Sequence, residues 1–292
     1  MECRLTGSRS GSRSISSRSG AAARPRPKKR FGQHFLSDLN LLTRIVDAAD
    51  LPAGATVLEV GPGLGSLTAV LADRAARVVA VEVDRDLVAV LRERFAGRGS
   101  VAIVEDDVLE RTPGDLLRQG GASEPYIVVA NLPYNIAAPV LRAFLEGDVR
   151  PDRLVVMVQL EVAQAIAATP GQMSLLSVAT QVYADARLVM KVPPGAFSPP
   201  PKVQSAVVRI DVLPQPRVDV PLDAFFRVVR AGFGNPRKQL RNSLSFGLHV
   251  KQDVVDDVMR AAGVDVTLRP QVLSIDDWAS ITRSWLTRSA TE

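Results

Sequence analysis

The chain has 292 residues, of which 46% are hydrophobic, and it contains one cysteine and two histidines. These counts exclude an internal disulfide and a cysteine-rich zinc site, and they argue against a histidine-based metal centre. No apolar run approaches the roughly 18 residues of a membrane span, so we expect a soluble protein with one large domain or a domain plus an appendage.

The net charge of +5 is unevenly distributed along the chain. Residues 1–30 carry nine Arg or Lys against one Glu, a charge of +8, which leaves −3 for residues 31–292. Only local basic clusters can therefore indicate a nucleic-acid partner. Residues 1–27 are rich in Ser, Arg, Gly and Pro, cannot bury a core, and are predicted to be a disordered basic tail.

This tail lacks the apolar centre of a secretory signal. Its composition resembles an organellar transit peptide, but it has too few apolar residues for a clear amphipathic helix. We favour a bacterial tail or an over-extended start codon over a transit peptide.

From the tail to about residue 213, short apolar runs alternate with helical segments. Strands are predicted at 56–60, 77–84, 101–107, 126–132 and 153–159, and helices at 38–51, 66–75 and 85–95. Continuous apolar strands that alternate with helices are typical of a parallel sheet covered on both faces. Two later runs, 186–193 and 203–212, flank "PGAFSPPPK" and are predicted to form an antiparallel edge pair.

Beyond about Pro214 the pattern becomes helical. The segments with helical spacing are 222–233, 237–248, 251–263 and 274–286. We therefore predict an α/β domain over 28–213 and a small helical domain over 214–292.

Three glycines, Gly61, Gly63 and Gly65, stand between the first strand and the helix after it, in "LEVGPGLGSLT". Glycines there allow a tight turn and a close approach of a ligand to the backbone at a helix N-terminus. Ser66 stands where a dinucleotide fingerprint would have its third Gly or Ala. A turn that is merely tight explains the glycines about as well.

Acidic residues lie at the carboxyl ends of the next two strands. Glu82 lies 21 residues after Gly61, where a carboxylate can bind both hydroxyls of a ribose. Asp107 is placed to accept a hydrogen bond from an adenine amino group. Because there is no GxGxxG and no P-loop lysine, S-adenosylmethionine fits better than NAD or ATP. The other acids nearby are assigned to helix caps or to solvent: Asp84, Asp86 and Asp106.

The segment "ANLPYNIAAP" ends the fourth strand with an amide, a proline and an aromatic ring. Asn131 and a backbone carbonyl near Leu132 can each accept one N–H of an adenine amino group, which aims its lone pair at a methyl donor. Pro133 stiffens that carbonyl. Tyr134 offers a ring for base stacking, worth about 1–3 kcal/mol. On this interpretation Tyr134→Phe is mild and Tyr134→Ala severe; a turn with a packed tyrosine is the alternative.

Six ordered segments resemble the ribosomal RNA adenine dimethyltransferase family of the KsgA/RsmA type, which acts on small-subunit RNA. They are "FGQHFL", "EVGPGLGSLT", "VEVDRDL", "NLPYNI", "AFSPPPKVQSAVV" and "RKQLRNSL". The resemblance implies a Rossmann-like class I S-adenosylmethionine-dependent methyltransferase with a small C-terminal helical domain. It also implies N6-dimethylation of two adjacent adenosines in the 3′-end hairpin of 16S rRNA, with a role in small-subunit biogenesis.

The resemblance also implies site residues. The cofactor contacts carried over by position are His34, Leu36, Gly61, Glu82, Asp107 and Asn131. Many family members have asparagine at the position of His34, so a helix-capping role is the alternative there, and we expect a neutral imidazole. Phe197 resembles a second ring that stacks on the target base, with a core phenylalanine as the alternative.

A basic stretch lies in the predicted helical domain. Between Phe225 and Lys251 there are six Arg or Lys and no acid, which favours RNA phosphate over an ordinary solvated face. The predicted RNA contacts are Arg237, Lys238 and Arg241. Helical spacing places Arg237 and Arg241 on one face, with Lys238 beside Arg241.

The implied partner is small-subunit rRNA in an assembling 30S particle, bound by a cytoplasmic monomer without a membrane or a metal ion. Three alternatives stay open. They are a large-subunit rRNA adenine methyltransferase of the antibiotic-resistance type, a non-catalytic RNA-binding assembly factor with the same fold, and a nicotinamide dehydrogenase. The glycine spacing disfavours the third, and the intact "NLPY" with its acids disfavours the second.

Overall fold

A computed structural model of the chain describes residues 34–36 and 38–289. The predicted tail, residues 1–27, lies outside the described residues. None of the helices in the described part of the chain is both long and apolar enough to span a membrane.

The described strands form one large sheet and one small one. Their bounds are β1 Phe35–Leu36, β2 Thr56–Val60, β3 Arg77–Glu82, β4 Val101–Glu105, β5 Ile127–Asn131, β6 Arg153–Gln159, β7 Ala184–Val192, β8 Phe197–Ser198 and β9 Ser205–Val212. The seven-stranded sheet has the order β4-β3-β2-β5-β6-β9-β7, and β1 pairs with β8. All seven strands predicted from the apolar runs are present.

Strand direction in the large sheet is mixed. The strands β4, β3, β2, β5 and β6 are parallel to one another, whereas β9 is antiparallel to both β6 and β7. The predicted antiparallel edge pair is therefore confirmed. The strand order reverses between β2 and β5. Open α/β sheets bind their ligands at such a reversal, beyond the carboxyl ends of the strands.

Helices cover both faces of the sheet and form the C-terminal region. Their bounds are α1 Leu39–Ala49, α2 Ser66–Ala72, α3 Arg85–Arg94, α4 Pro113–Gln119, α5 Ala137–Leu145, α6 Leu160–Ile166, α7 Leu175–Gln181, α8 Leu222–Phe233, α9 Leu240–Leu248, α10 Gln252–Ala261 and α11 Ile275–Ser289. The predicted helices are confirmed, although α9 begins at Leu240 rather than at residue 237.

The C-terminal helices share a core with one face of the sheet. A single buried cluster runs from Val128 on β5 through Val178 on α7 to Phe225 on α8 and Trp278 on α11. A second cluster fills the other face, under α1 and α2. Because apolar packing is continuous across residue 213, the division into two domains there stays a prediction.

Candidate active site

A crevice opens at the carboxyl ends of β2, β3 and β5. Most of the site residues proposed from the sequence line it: His34, Leu36, Gly61, Gly63, Glu82, Asp107, Asn131, Leu132, Pro133 and Tyr134. Parallel strands bring their carboxyl ends to one edge of the sheet, which is why residues from distant parts of the sequence meet here.

The glycine loop between β2 and α2 requires glycine for steric reasons. Gly63 and Gly65 have φ values of 59° and 78°, in the left-handed region. A Cβ at Gly65 would lie 2.7 Å from the Phe95 ring, and one at Gly63 would lie 3.1 Å from the Phe35 ring. Tight packing thus accounts for the glycines, and the same loop forms a wall of the crevice.

Glu82 ends β3, as predicted, and the residue is 6% exposed. One oxygen accepts a hydrogen bond from the Gly63 N–H at 3.3 Å and the other from the Asp84 N–H at 3.0 Å. Burial raises the pKa of Glu82, while these backbone donors oppose that rise. The carboxylate therefore ties the glycine loop to the end of β3 and faces the crevice with its remaining lone pairs.

Asp107 lies two residues beyond the end of β4. Its carboxylate accepts a hydrogen bond from the Leu109 N–H at 2.9 Å. The neighbouring Asp106 accepts from the Asp107 N–H at 2.9 Å and pairs with Arg111 at 2.9 Å. Hydrogen bonds from Gln119 and Arg111 hold the pKa of Asp106 below its usual range. These contacts fix the loop after β4. Asp106 also lines the crevice, which the sequence did not predict.

The two other acids assigned to caps or solvent behave as predicted. Asp84 is the N-cap of α3, and its side chain accepts from the Asp86 N–H at 3.1 Å. Asp86 lies in the first turn of that helix.

Asn131 is the last residue of β5, and its amide orientation is fixed by one contact. Its Nδ2 donates to the backbone carbonyl of His34 at 3.2 Å. Since the nitrogen is engaged in this way, Oδ1 is the atom left to accept a hydrogen bond from a ligand. No donor to Oδ1, or to the carbonyl of Leu132, is found among residues 34–36 and 38–289.

Tyr134 is half-buried in the turn between β5 and α5. Its hydroxyl is 2.6 Å from the hydroxyl of Ser205 on β9. The ring stacks on the imidazole of His34, with centroids 5.8 Å apart and planes inclined by 27°. Burial raises the pKa of Tyr134, so the phenol is protonated at neutral pH.

His34 does not cap a helix, so the structural alternative for this residue is wrong. The N-cap of α1 is Asp38, whose side chain accepts from the N–H groups of Asn40 and Leu41. The Nδ1 atom of His34 lies 2.8 Å from the carbonyl oxygen of Pro199. His34 thereby connects Asn131 and Tyr134 to the loop after β8.

Phe197 does not line the crevice as a second stacking ring, which corrects the expectation for this residue. Its side chain is 5% exposed and belongs to the hydrophobic cluster on the α1 face of the sheet. The backbone pairing of Leu36 with Phe197 positions β8 against β1 and draws the ring into that cluster. The alternative of a core phenylalanine describes its position.

Glu59 is a crevice residue that the sequence analysis missed. It lies on β2, is 1% exposed, and its Oε2 has no hydrogen-bond partner among the described residues. Burial raises its pKa to about 8. An acid inside the otherwise apolar strand "TVLEV" was the available signal, and its unpaired oxygen suits a cationic group of a ligand.

The raised pKa of Glu59 predicts a pH-dependent stability. The folded state binds a proton that the unfolded state has lost between pH 4.5 and about 8, so the free energy of unfolding falls as pH rises through this window. Glu59→Gln should remove that contribution. Denaturant unfolding at pH 5, 6, 7 and 8 should show that the free energy of unfolding of Glu59→Gln increases relative to that of the parent as pH rises. The exposed control Glu93→Gln should show no such increase. Parallel curves for Glu59→Gln and the parent would disprove the shift.

The basic turn between α8 and α9 differs from the sequence prediction. Because α9 begins at Leu240, Arg237 and Lys238 precede the helix, and the predicted common face with Arg241 is wrong. The buried Leu240 N–H is satisfied by the carbonyl of Leu268 at 2.7 Å, which anchors the helix start there. Arg237 and Lys238 are exposed in the turn.

Arg241 is engaged within the helical region. Its guanidinium lies 2.8 Å from a carboxylate oxygen of Asp256 on α10, and both side chains are partly buried, at 36% and 20% exposure. A guanidinium already paired in this way is a poor phosphate ligand. No such acid pairs with Arg237 or Lys238 in the part of the chain that the structure describes.

Known proteins resemble this chain in sequence and in fold. A family model described as "Ribosomal RNA adenine dimethylase" matches residues 25–267. The Ribosomal RNA small subunit methyltransferase A of Dehalococcoides mccartyi is 44% identical over 256 residues, which cover 87% of each protein.

Two solved structures extend over nearly the same range. The 23S rRNA methyltransferase ErmE has a TM-score of 0.68 and 29% identity, and the match covers 86% of this chain and 98% of that one. A dimethyladenosine transferase from Plasmodium falciparum has a TM-score of 0.72 at 20% identity, covering 88% and 98%, and supports the fold alone. The predicted Rossmann-like methyltransferase fold is thus confirmed. The chain belongs to the ribosomal RNA adenine dimethylase family, whose methyl donor is S-adenosylmethionine.

Proposed function

We propose that this protein transfers methyl groups from S-adenosylmethionine to N6 of two adjacent adenosines in the 3′-end hairpin of small-subunit rRNA. The observation that carries the proposal is the position of Asn131, with its Oδ1 available, beside Tyr134 in the crevice. An amide acceptor next to an aromatic ring is suited to an amino group on a flat base.

The residues around the glycine loop fit the methyl donor. Glu82 would accept from the ribose hydroxyls, and Asp107 from the adenine amino group. The unpaired Oε2 of Glu59 would accept from the α-ammonium group of the methionine part. Gly61 and Leu36 would line the site through backbone and apolar contacts.

The methyl donor supplies an electrophilic methyl group, and the residues of the chain prepare the nucleophile. The lone pair of an adenine amino group is delocalised into the ring, which makes this nitrogen a poor nucleophile. Asn131 Oδ1 and the Leu132 carbonyl would each accept one N–H, which favours the pyramidal nitrogen. Stacking on Tyr134 would hold the base, so catalysis rests on positioning and hydrogen bonding rather than on a strong base.

The RNA substrate is assigned through the relatives. The curated relative at 44% identity is named for the small subunit, whereas the 23S rRNA enzyme is 29% identical to this chain. This difference favours small-subunit RNA as the substrate, and we propose that it is bound in an assembling 30S particle. We further propose that the protein acts in the cytoplasm as a monomer without a metal ion.

A direct assay tests the proposed function. The full chain is incubated with labelled S-adenosylmethionine and, in separate reactions, with small and with large subunits from a strain that lacks this modification, and the modified nucleotides are mapped. We expect label on two adjacent adenosines near the 3′ end, with up to two methyls on each. Label on large subunits alone would assign the chain to the resistance type, and no label with intact cofactor binding would favour a non-catalytic assembly factor.

The exposed basic turn gives a second test. Phosphate contacts add affinity through counterion release, with about 0.7–0.9 of a unit in the salt slope per contact. Replacing Arg237 and Lys238 together by Gln should lower the slope of log affinity against log salt for small subunits by about 1.4–1.8. Affinity for S-adenosylmethionine should not change.

Arg241→Gln is the matched control for the basic turn. Because its guanidinium pairs with Asp256, this variant should lose thermal stability and keep the salt slope of the parent. Equal slopes for the double variant and the parent would mean that Arg237 and Lys238 do not contact RNA phosphates and belong to an ordinary solvated surface.

A further inference from the structure

The buried hydroxyl of Ser205 forms a hydrogen bond with Tyr134 that base stacking on the tyrosine ring does not require. Ser205 is the first residue of β9 and is completely buried. Its neighbours in the sheet are Gln159 on β6 and Val192 on β7, so strands enclose it on both sides. Its Oγ lies 2.6 Å from the Tyr134 hydroxyl, a short hydrogen bond between two neutral groups.

This hydrogen bond gives the Tyr134 ring a second point of attachment. The backbone end of the residue is held in a turn in which the Ile136 N–H donates to the Pro133 carbonyl at 3.1 Å. The hydroxyl end is held by Ser205, and the two attachments together fix the direction of the ring axis. The stacked His34 imidazole, itself 2.8 Å from the Pro199 carbonyl, supports one face of the ring.

Stacking by itself needs no hydroxyl, because phenylalanine has the same ring. Tyr134→Phe would leave the buried Ser205 hydroxyl without this partner. Ser205→Ala would release the hydroxyl end of the tyrosine. Small displacements of a stacked base matter, since a misplacement of about 1 Å can lower a rate by roughly 100-fold.

We propose that Ser205 is a positioning residue for methyl transfer: its buried hydroxyl holds Tyr134 in the orientation on which the target base stacks. The inference rests on the proposed function, because it concerns the same base site. It assigns a role to β9, a strand in the antiparallel part of the sheet. The residues proposed above for the reaction follow the parallel strands.

Single-turnover methyl transfer to undermethylated small subunits, at saturating S-adenosylmethionine and subunit, tests this role. We expect Ser205→Ala and Tyr134→Phe each to lower the rate about 10- to 100-fold, whereas stacking alone predicts a mild effect for Tyr134→Phe, and we expect the double variant to be no slower than the slower single variant. Ser205→Thr keeps a hydroxyl and should be faster than Ser205→Ala. The dissociation constant for S-adenosylmethionine should stay within about twofold of the parent, which is less than 0.5 kcal/mol.

Ser177→Ala is the matched control for loss of a buried hydroxyl. Ser177 is also completely buried, and its Oγ donates to the Ala165 carbonyl at 2.6 Å, away from the crevice. This variant should lose stability and keep the parental rate.

Three results would overturn the positioning role: a parental rate for Ser205→Ala, multiplicative losses in the double variant, or a Ser205→Thr as slow as Ser205→Ala. Absence of transfer by the parent chain would instead overturn the proposed function, and this inference with it.

Discussion

Asn131→Ala should abolish methyl transfer, with a loss of about 100-fold or more in the single-turnover rate. The substitution removes the Oδ1 acceptor that acts on the attacking amino group. It also removes the hydrogen bond to the His34 carbonyl, so binding of S-adenosylmethionine should weaken but stay measurable by calorimetry.

Asn40→Ala is the control for this variant, because Asn40 is an exposed amide on α1 outside the crevice. Its rate and its cofactor affinity should equal those of the parent. If Asn131→Ala retained more than a tenth of the parental rate, Asn131 would not be the acceptor, and the proposed role of the Leu132 carbonyl would have to carry the reaction alone.

Glu82→Gln should weaken S-adenosylmethionine binding by roughly 10- to 150-fold, since hydrogen bonds to a charged group contribute about 1.5–3 kcal/mol. The amide cannot accept at both positions, so it also forces an N–H toward Gly63 or Asp84, which both donate to the carboxylate. Calorimetric titration with S-adenosylmethionine measures the loss directly.

Thermal unfolding separates the two roles of Glu82. A lower melting temperature with parental cofactor affinity would make the carboxylate a support for the glycine loop and exclude the ribose contact. The exposed Glu93→Gln, on the outer surface of α3, should leave both quantities unchanged.

Much of the fold could be predicted from local patterns. Apolar runs such as "TVLEV" and "RLVVMVQ" are continuous and alternate with helical segments, so this pattern alone predicted the strand positions and the parallel sheet. The glycine loop, Glu82 and Asn131 could be placed together because parallel strands end at one edge of a sheet. The ordered motifs around "NLPY" gave the family, and the family model confirms it.

Helix starts were less predictable, because they depend on distant partners. The sequence "RKQLRNSLSFGL" has helical spacing from its first residue, yet α9 begins at Leu240, where the carbonyl of Leu268 satisfies the backbone N–H. The same packing brings Asp256 to Arg241, a pairing of residues 15 positions apart that no local pattern indicates.

Sequence by itself determined the fold class, the family and most of the residues that line the crevice, because each of these is expressed in short segments with fixed spacing. Only the tertiary structure decided what surrounds each group. It buried the Phe197 side chain in the cluster under α1, left an oxygen of Glu59 without a partner among the described residues, and brought the hydroxyl of Ser205 to Tyr134 across 71 residues of chain. The physical reason is that burial and hydrogen-bond partners depend on strand order and packing, which the spacing of residues along the chain does not specify.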